Sequence, residues 1–411
     1  MGRDNRQFMA LDALRGIAAL AIVARHTPAL WGRPAGSYDP TWLPESYLAV
    51  DFFFALSGFV VSHAYAQRLE SKATTPAQFM VLRLVRFYPL HIAGLLIGVV
   101  SLYLLHAPLS TLLVLFGVGL LFAPLRGPMM FPINGPVWSL HFELVINLVY
   151  ALIVPVLRTS VLIGLVTIAG MGLSLSVWHG WLGFGTSGEG PMADGYSMAT
   201  YGAGLARVTF SFFAGVLAHR IFGFVSVRNA LPTLIPASVL ALILCASPAA
   251  GLRAPFELMA VLFGFPAIVL LGACCRPTGP ATRLYSALGL SSYAVYVLHV
   301  PLYRLVFETG GSITYPWPVG VAFAGAMIAA ALLADRFYDQ PTRRLFANWM
   351  SHPAKPLPDT EWIFALGDVD PRDLAGNPIE GIAMQRRVKG ALQFRPATLD
   401  EQQEYTGNIA T

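Results

Sequence analysis

Charge is what this sequence has least of. Only 12% of its 411 residues are Asp, Glu, Lys or Arg, against roughly a quarter in soluble domains. That scarcity argues against a water-soluble globular chain. With 55% hydrophobic residues and a mean hydropathy of +0.60, the composition is that of an integral membrane protein. Cysteine is nearly absent. Cys245, Cys274 and Cys275 lie in or beside apolar segments with no CxxC or His/Cys spacing around them. They read as small packing residues, and no metal is expected. No basic stripe interleaves with exposed aromatics, so nucleic acid is not an expected partner. A charge-free h-region is missing too: Asp12 and Arg15 interrupt the first apolar stretch, so Leu11 onward reads as a retained anchor. Inverted repeats of the transporter kind are not visible.

What the chain does have is apolar windows. They fall near 8–27, 47–66, 87–106, 110–124, 137–157, 160–178, 203–222, 231–247, 254–274, 285–306 and 316–337. Under the positive-inside rule, Arg3 and Arg6 put the N-terminus in the cytoplasm, as Arg68, Lys72, Arg83 and Arg86 do for the second connection. Arg343 and Arg344 ask for the same side. Counting back from them puts the glycine-rich loop 179–198 outside. An odd number of crossings must then fit between Arg86 and Trp138. The 110–124 window follows His106-Ala107-Pro108 and ends at Pro124, and so short a segment suits a re-entrant or interfacial element. The expectation is an all-α polytopic membrane protein with about ten transmembrane helices plus that short segment. Both termini would be cytoplasmic, in a bacterial-type inner membrane. Residues 1–346 would form the membrane domain, and 347–411 a polar, partly disordered cytoplasmic tail that opens with a proline-rich linker.

Polar residues inside the spans are the candidates for function, because a charge at mid-bilayer costs roughly 2.5–3.5 kcal/mol even on lenient scales. Leu11 to His26 carries Asp12, Arg15, Arg25 and His26. Arg15 and His26 share one helix face, separated by roughly 16 Å along the axis. Arg25 and His26 could instead snorkel at an interface while Arg15 forms a structural ion pair. Asp51 opens the second span on the side where His26 closes the first. It reads as an orienter of that imidazole, as a helix cap, or as both. Ser57-Gly58 suits close helix packing. Arg83 and Arg86, three apart, suit a phosphorylated ligand or a topology anchor. Glu143 lies about a turn and a half inside Trp138, as an acid/base or acceptor-binding group or as a salt-bridge partner of Arg15 or Arg207. In SSYAVYVLHVP (291–301), Tyr296 and His299 share a face; alone, His299 reads as a hydrogen-bonded core residue.

The order of these segments is more specific than any one of them. Arg15-x10-His26, DFFFALSG (51–58), LRLVRFYP (82–89), WSLHFE (138–143), SSYAVYVLHVP and YDQPTRR (338–344) resemble the integral membrane acyltransferase 3 family over about residues 8–346. The resemblance implies O-acylation of surface polysaccharides, lipid-linked sugars, peptidoglycan or antibiotics, with acetyl-coenzyme A as the usual donor. It matches Arg15 and His26 to the family's Arg/Lys-x10-His pair, with His26 as the catalytic residue. Arg83, Arg86 and Pro89 match its arginine-proline element, and Trp138, Ser139 and Glu143 its Trp-Ser-Leu-x2-Glu element. Leu82 stands where a first arginine is usual, and Asp339 replaces a Glu before Pro341. The expected assignment is therefore His26 as base, Asp51 as its orienter, Glu143 in acceptor positioning or proton relay, and Arg15 as electrostatic support. Arg83 and Arg86 would bind the donor, acetyl-CoA or another acyl-CoA, and Trp138, Ser139, Tyr296 and His299 the substrate. The partners would be a carbohydrate or lipid-linked acceptor and membrane lipids. Transfer could be direct or pass through an acyl-imidazole. A secondary transporter with an intramembrane Arg/His/Glu proton relay is the rival reading.

Overall fold

The computed structural model describes residues 8–33, 42–225, 232–275, 281–308, 313–350, 363–364, 383–388, 391–398 and 400–401. Each of the eleven apolar windows coincides with a helix. In chain order these are α1 (Met9–His26), α2 (Ala49–Glu70), α3 (Pro76–Leu104), α4 (Leu109–Leu120), α5 (Val137–Ile153), α6 (Thr159–His179), α7 (Tyr201–Phe222), α8 (Leu234–Cys245), α9 (Ala250–Met259) running through a π-helical turn into α10 (Phe265–Ala273), α11 (Ala281–Tyr303) and α12 (Trp317–Ala334). A further helix, α13 (Gln340–Met350), follows α12. Eight are long and apolar enough to cross a membrane. Of the rest, α1 is 18 residues long but carries Asp12, Arg15 and Arg25, and α4 and α8 have 12 residues each.

Packed pairs fix the direction of the passages around the site. The ring of Phe8, just before α1, touches His63 near the end of α2 and Phe222 at the end of α7. That end of the bundle is the Phe8 end, and its opposite is the His26 end. Asp51 bonds Arg207 and Ser62 bonds His219, so α2 and α7 run parallel. Arg83 bonds Glu143, while Gly98 packs on Ile133 just before α5, so α3 and α5 run antiparallel. The stretch between α3 and α5 therefore returns to the side it left. Within it α4 dips beside α3, where Tyr88 and His91 bond the carbonyl oxygens of Leu120 and Gly119 at 2.7 and 2.9 Å. Phe122 turns the chain back in a left-handed conformation (φ 50°), its ring stacked on His91. This is the expected re-entrant element. By contrast α8 runs from one end of the bundle to the other: it starts after α7 reaches the Phe8 end and finishes where the Glu45 N–H donates to the Leu244 carbonyl. Ten passages result among the described residues.

Local sequence explains the element ends that matter for the site. Thr75 and Gln78 form a reciprocal capping box with Pro76 in the first turn, which starts α3. At the end of α1, Pro28 disfavours a helical conformation at Thr27, so His26 is the last helical residue. Glycines set the closest approaches. A β-carbon on Gly58 would lie 1.9 Å from the Phe212 carbonyl oxygen, and one on Gly215 1.9 Å from that of Ala55. Gly58→Ala must push α2 and α7 apart, and it is expected to cost more than the roughly 1–3 kcal/mol of ordinary overpacking. Gly164→Ala, with nothing within 4 Å, should be neutral. Thermal unfolding of the two variants in the same detergent checks this; equal midpoints would contradict the close packing.

The chain divides into two compact units, Met1–Arg343 and Arg344–Thr411. In the second, β1 (Ile363–Phe364), β2 (Ala383–Val388) and β3 (Ala391–Pro396) form an antiparallel sheet with Gln385 opposite Phe394. Most of the expected 347–411 tail lies outside the described residues, as do Arg3 and Arg6.

Candidate active site

His26 lines an open cavity of about 1260 Å³ at its end of the bundle. Its Nδ1 lies 2.9 Å from Nε2 of His299, a fully buried residue of α11 whose Nδ1 lies 3.0 Å from the Val295 carbonyl oxygen. The side chains sharing this cavity are aromatic and paired. Tyr47, Trp138, Tyr196 and Tyr303 contribute rings. Arg25 is ion-paired with Glu189, Arg304 lies 3.4 Å from Glu308, and Arg207 is bound to Asp51. Arg25 is buried in that pair rather than reaching for an interface.

Asp51 does not orient His26. Both of its oxygens are taken by Arg207, at 3.1 Å from Nε and 2.6 Å from Nη2, and neither side chain is more than 1% exposed. A guanidinium offers a planar fork that matches a carboxylate, and burial takes both charges out of water. Arg207 also donates to the carbonyl oxygens of Asp194 and Tyr47 and stands under the Trp138 ring at 5.5 Å. The place expected for Asp51 is held by His299, which lies behind His26 and off the cavity wall.

A second cavity, of about 750 Å³, is nearer the Phe8 end. Arg15, Arg83 and Arg86 line it, with Glu143 as the carboxylate among them. Glu143 accepts from Arg83 at 2.6 Å and from Ser57 at 2.7 Å, so its ion-pair partner is Arg83 rather than Arg15 or Arg207. Arg15 is fastened to α11 by Ser292 Oγ at 2.7 Å and the Gly289 carbonyl oxygen at 2.8 Å, and to Asp12 at 2.8 Å. Close contacts of Gly16 with Leu288 and of Gly289 with Asp12 bring the two helices together. Arg86 makes no hydrogen bond or ion pair among the described residues, and the buried Arg83 Nε has no partner either. Arg15 therefore belongs with the other arginines and not with His26.

Tyr296 lines both cavities. Its hydroxyl lies 2.7 Å from Ser139 Oγ and donates to the Pro136 carbonyl at 3.1 Å, and Phe53 meets its ring edge-on at 5.6 Å. The wall between the cavities is thus built from the tip of α5, α2 and α11.

A family model described as an acyltransferase domain matches residues 9–336, most of the chain. The chain belongs to the acyltransferase 3 family. It is an integral membrane acyltransferase. A curated relative described as protein 2 in the picA locus of Rhizobium radiobacter is 41% identical over 165 residues, covering 35% of this chain and 81% of that protein. No solved structure matches. In this acyltransferase the resemblance motifs divide between the cavities: His26 and Trp138 line the first, Arg15, Arg83, Arg86, Ser139 and Glu143 the second.

Sequence reasoning named Arg207 only as a partner for Glu143 and missed its pairing with Asp51, and it missed several other groups that shape the site. Arg207 interrupts α7 as Arg15 interrupts α1, and the same signal of a charge inside a span marks it. Glu257 carries that signal too; it accepts from the Tyr47 hydroxyl at 2.6 Å and the Met192 N–H at 2.8 Å. Arg253 joins Glu257 to Glu45, at 3.3 and 2.9 Å, tying α9 to the approach of α2. Glu189 and Glu308 sit in a loop and at a helix end, where no periodicity points to them.

Proposed function

We propose that this acyltransferase moves an acyl group, acetyl in the simplest case, from acyl-coenzyme A to a hydroxyl of a cell-envelope carbohydrate or lipid-linked sugar. The observation that carries the reading is the pair of cavities meeting at Tyr296, one with His26 on its wall and the other with three guanidiniums. The second cavity suits the donor's phosphates. Its cations outnumber its carboxylates, Arg86 has no protein partner among the described residues, and a buried Arg83 N–H is left without an acceptor. Coenzyme A, when bound there, supplies the activated acyl thioester. Arg83 and Arg86 grip phosphate oxygens in bidentate fashion, with Arg15 adding charge. The donor's apolar arm crosses from one cavity to the other at the wall formed by Tyr296, Ser139 and Phe53, which keeps water from it.

In the first cavity, His26 takes the proton of the acceptor hydroxyl as its oxygen bonds the acyl carbon. The carbon–sulfur bond breaks, and His26 returns the proton to the departing thiolate. The aromatic lining and its paired, mutually neutralised charges favour a hydroxyl-rich acceptor such as a sugar. With the α2–α3 connection, which bears Arg68 and Lys72, in the cytoplasm, the arginines face inward and His26 outward. Acyl groups then pass from a cytoplasmic donor to an external acceptor.

Arg86→Gln tests the donor site. One lost charge-assisted hydrogen bond is worth about 1.5–3 kcal/mol, so KM for acetyl-CoA should rise about tenfold or more, with acceptor KM and kcat near wild type. Steady-state kinetics with radiolabelled acetyl-CoA reads the result. An unchanged donor KM would remove Arg86 from the donor site.

A further inference from the structure

Hydrogen-bond donors and acceptors at His26 and His299 allow one consistent assignment. A backbone carbonyl only accepts, so the His299 Nδ1 facing Val295 O at 3.0 Å carries hydrogen. His299 is fully buried and meets no carboxylate among the described residues, so it is the neutral imidazole and its Nε2 is a lone-pair acceptor. The group 2.9 Å away, His26 Nδ1, must then be the donor. A neutral His26 that donates from Nδ1 carries its lone pair on Nε2. That nitrogen has no protein partner among the described residues, and the ring stands on the cavity wall. The two rings lie edge to edge and nearly coplanar, 5.1 Å between centroids at 24°, as an N–H···N bond in the ring plane requires.

We propose that His299 is a positioning residue that selects the Nδ1–H tautomer of His26 and so directs the basic Nε2 into the reaction cavity. The inference rests on His26 being the base of the proposed reaction. The work usually done by a carboxylate behind a catalytic histidine is done here by a neutral imidazole, itself anchored to its own helix through the carbonyl four residues back. His299 touches neither donor nor acceptor. The proton cycle is unchanged: Nε2 takes the hydroxyl proton and gives it to the leaving thiolate, while the Nδ1–H bond to His299 persists throughout. Without His299, the ring is free to carry its hydrogen on Nε2, where it blocks the lone pair, or to swing away from the acceptor.

The test reads the tautomer directly and turnover separately. Full-length protein labelled with 15N-histidine is reconstituted in lipid nanodiscs, and the His26 signals are identified as those lost in His26→Ala. Protonated Nδ1 with bare Nε2 is expected, and a His26 protonated on Nε2 alone would overturn the proposal without any assay of transfer. Next, His299→Leu should lower kcat about a hundredfold, within the range a positioned base contributes, with both KM values within twofold. His299→Gln, whose side-chain carbonyl can accept from Nδ1, should recover most of the loss. Full activity in His299→Leu, or a Gln variant no better than Leu, would also overturn it. Failure of His26 as the base has a different signature: full activity in His26→Ala alongside the expected wild-type tautomer.

Discussion

His26→Ala is expected to reduce acyl transfer to background while leaving the protein folded and inserted. General base catalysis alone contributes about 10²–10⁴-fold. The variant also removes the ring that bonds the buried His299. Little holds the fold through this ring. It is the last residue of α1, a helix buried on nearly all sides through residues such as Leu11, Leu14, Ala18, Ile22 and Val23. His26→Gln is the sharper form of the experiment, since it keeps size and hydrogen bonding but offers no base. Turnover of labelled acetyl-CoA, measured beside the thermal midpoint of each variant, checks both halves of the expectation. Activity within a few-fold of wild type would remove His26 from the chemistry.

The largest effect on stability is expected at the ion pair that replaced the anticipated Asp51–His26 contact. Asp51→Ala leaves the Arg207 guanidinium buried beside two carbonyl oxygens and the Trp138 ring with no carboxylate paired to it, and breaking such a pair costs about 3–5 kcal/mol. Arg207 joins α2, α7 and the loop carrying Asp194 at one point. Its loss therefore loosens the wall of the His26 cavity as well as the bundle. Replacing both partners, as Asp51→Leu with Arg207→Met, should recover part of the loss because no uncompensated charge remains. Unfolding midpoints of the two single variants and the double variant form a cycle that reads the coupling. A double variant less stable than either single one would contradict the account.

These two residues show what was readable in the chain and what was not. Helices, their number and the re-entrant element were legible because apolar runs and breakers are local. The 110–124 segment, for instance, betrays itself by Pro108, Pro124 and its length. Polar residues inside spans were legible as well, because the bilayer makes each of them costly. Their partners were not. Asp51 and His26 sit at the same end of adjacent helices, which suggests contact, yet Arg207, 156 positions away, is the group packed beside that carboxylate. Likewise His299 was visible as a polar residue in an apolar helix. Its meeting with His26 depends on α1 and α11 approaching through Gly16 and Gly289, a long-range fact that no periodicity encodes. Arg15 shares a helix face with His26 but faces a different cavity, since about 16 Å of helix is enough to pass the Tyr296 wall.

The central claim is that a donor held by the arginines reaches His26 through the bundle. Sealed proteoliposomes of uniform orientation test it most directly, with acceptor sugar on the His26 side and radiolabelled acetyl-CoA added to one side at a time. Product is predicted with acetyl-CoA confined to the arginine side, and that product should fall when Arg86→Gln replaces the wild type at subsaturating donor. Product formed only when acetyl-CoA and acceptor share the His26 side would contradict the account.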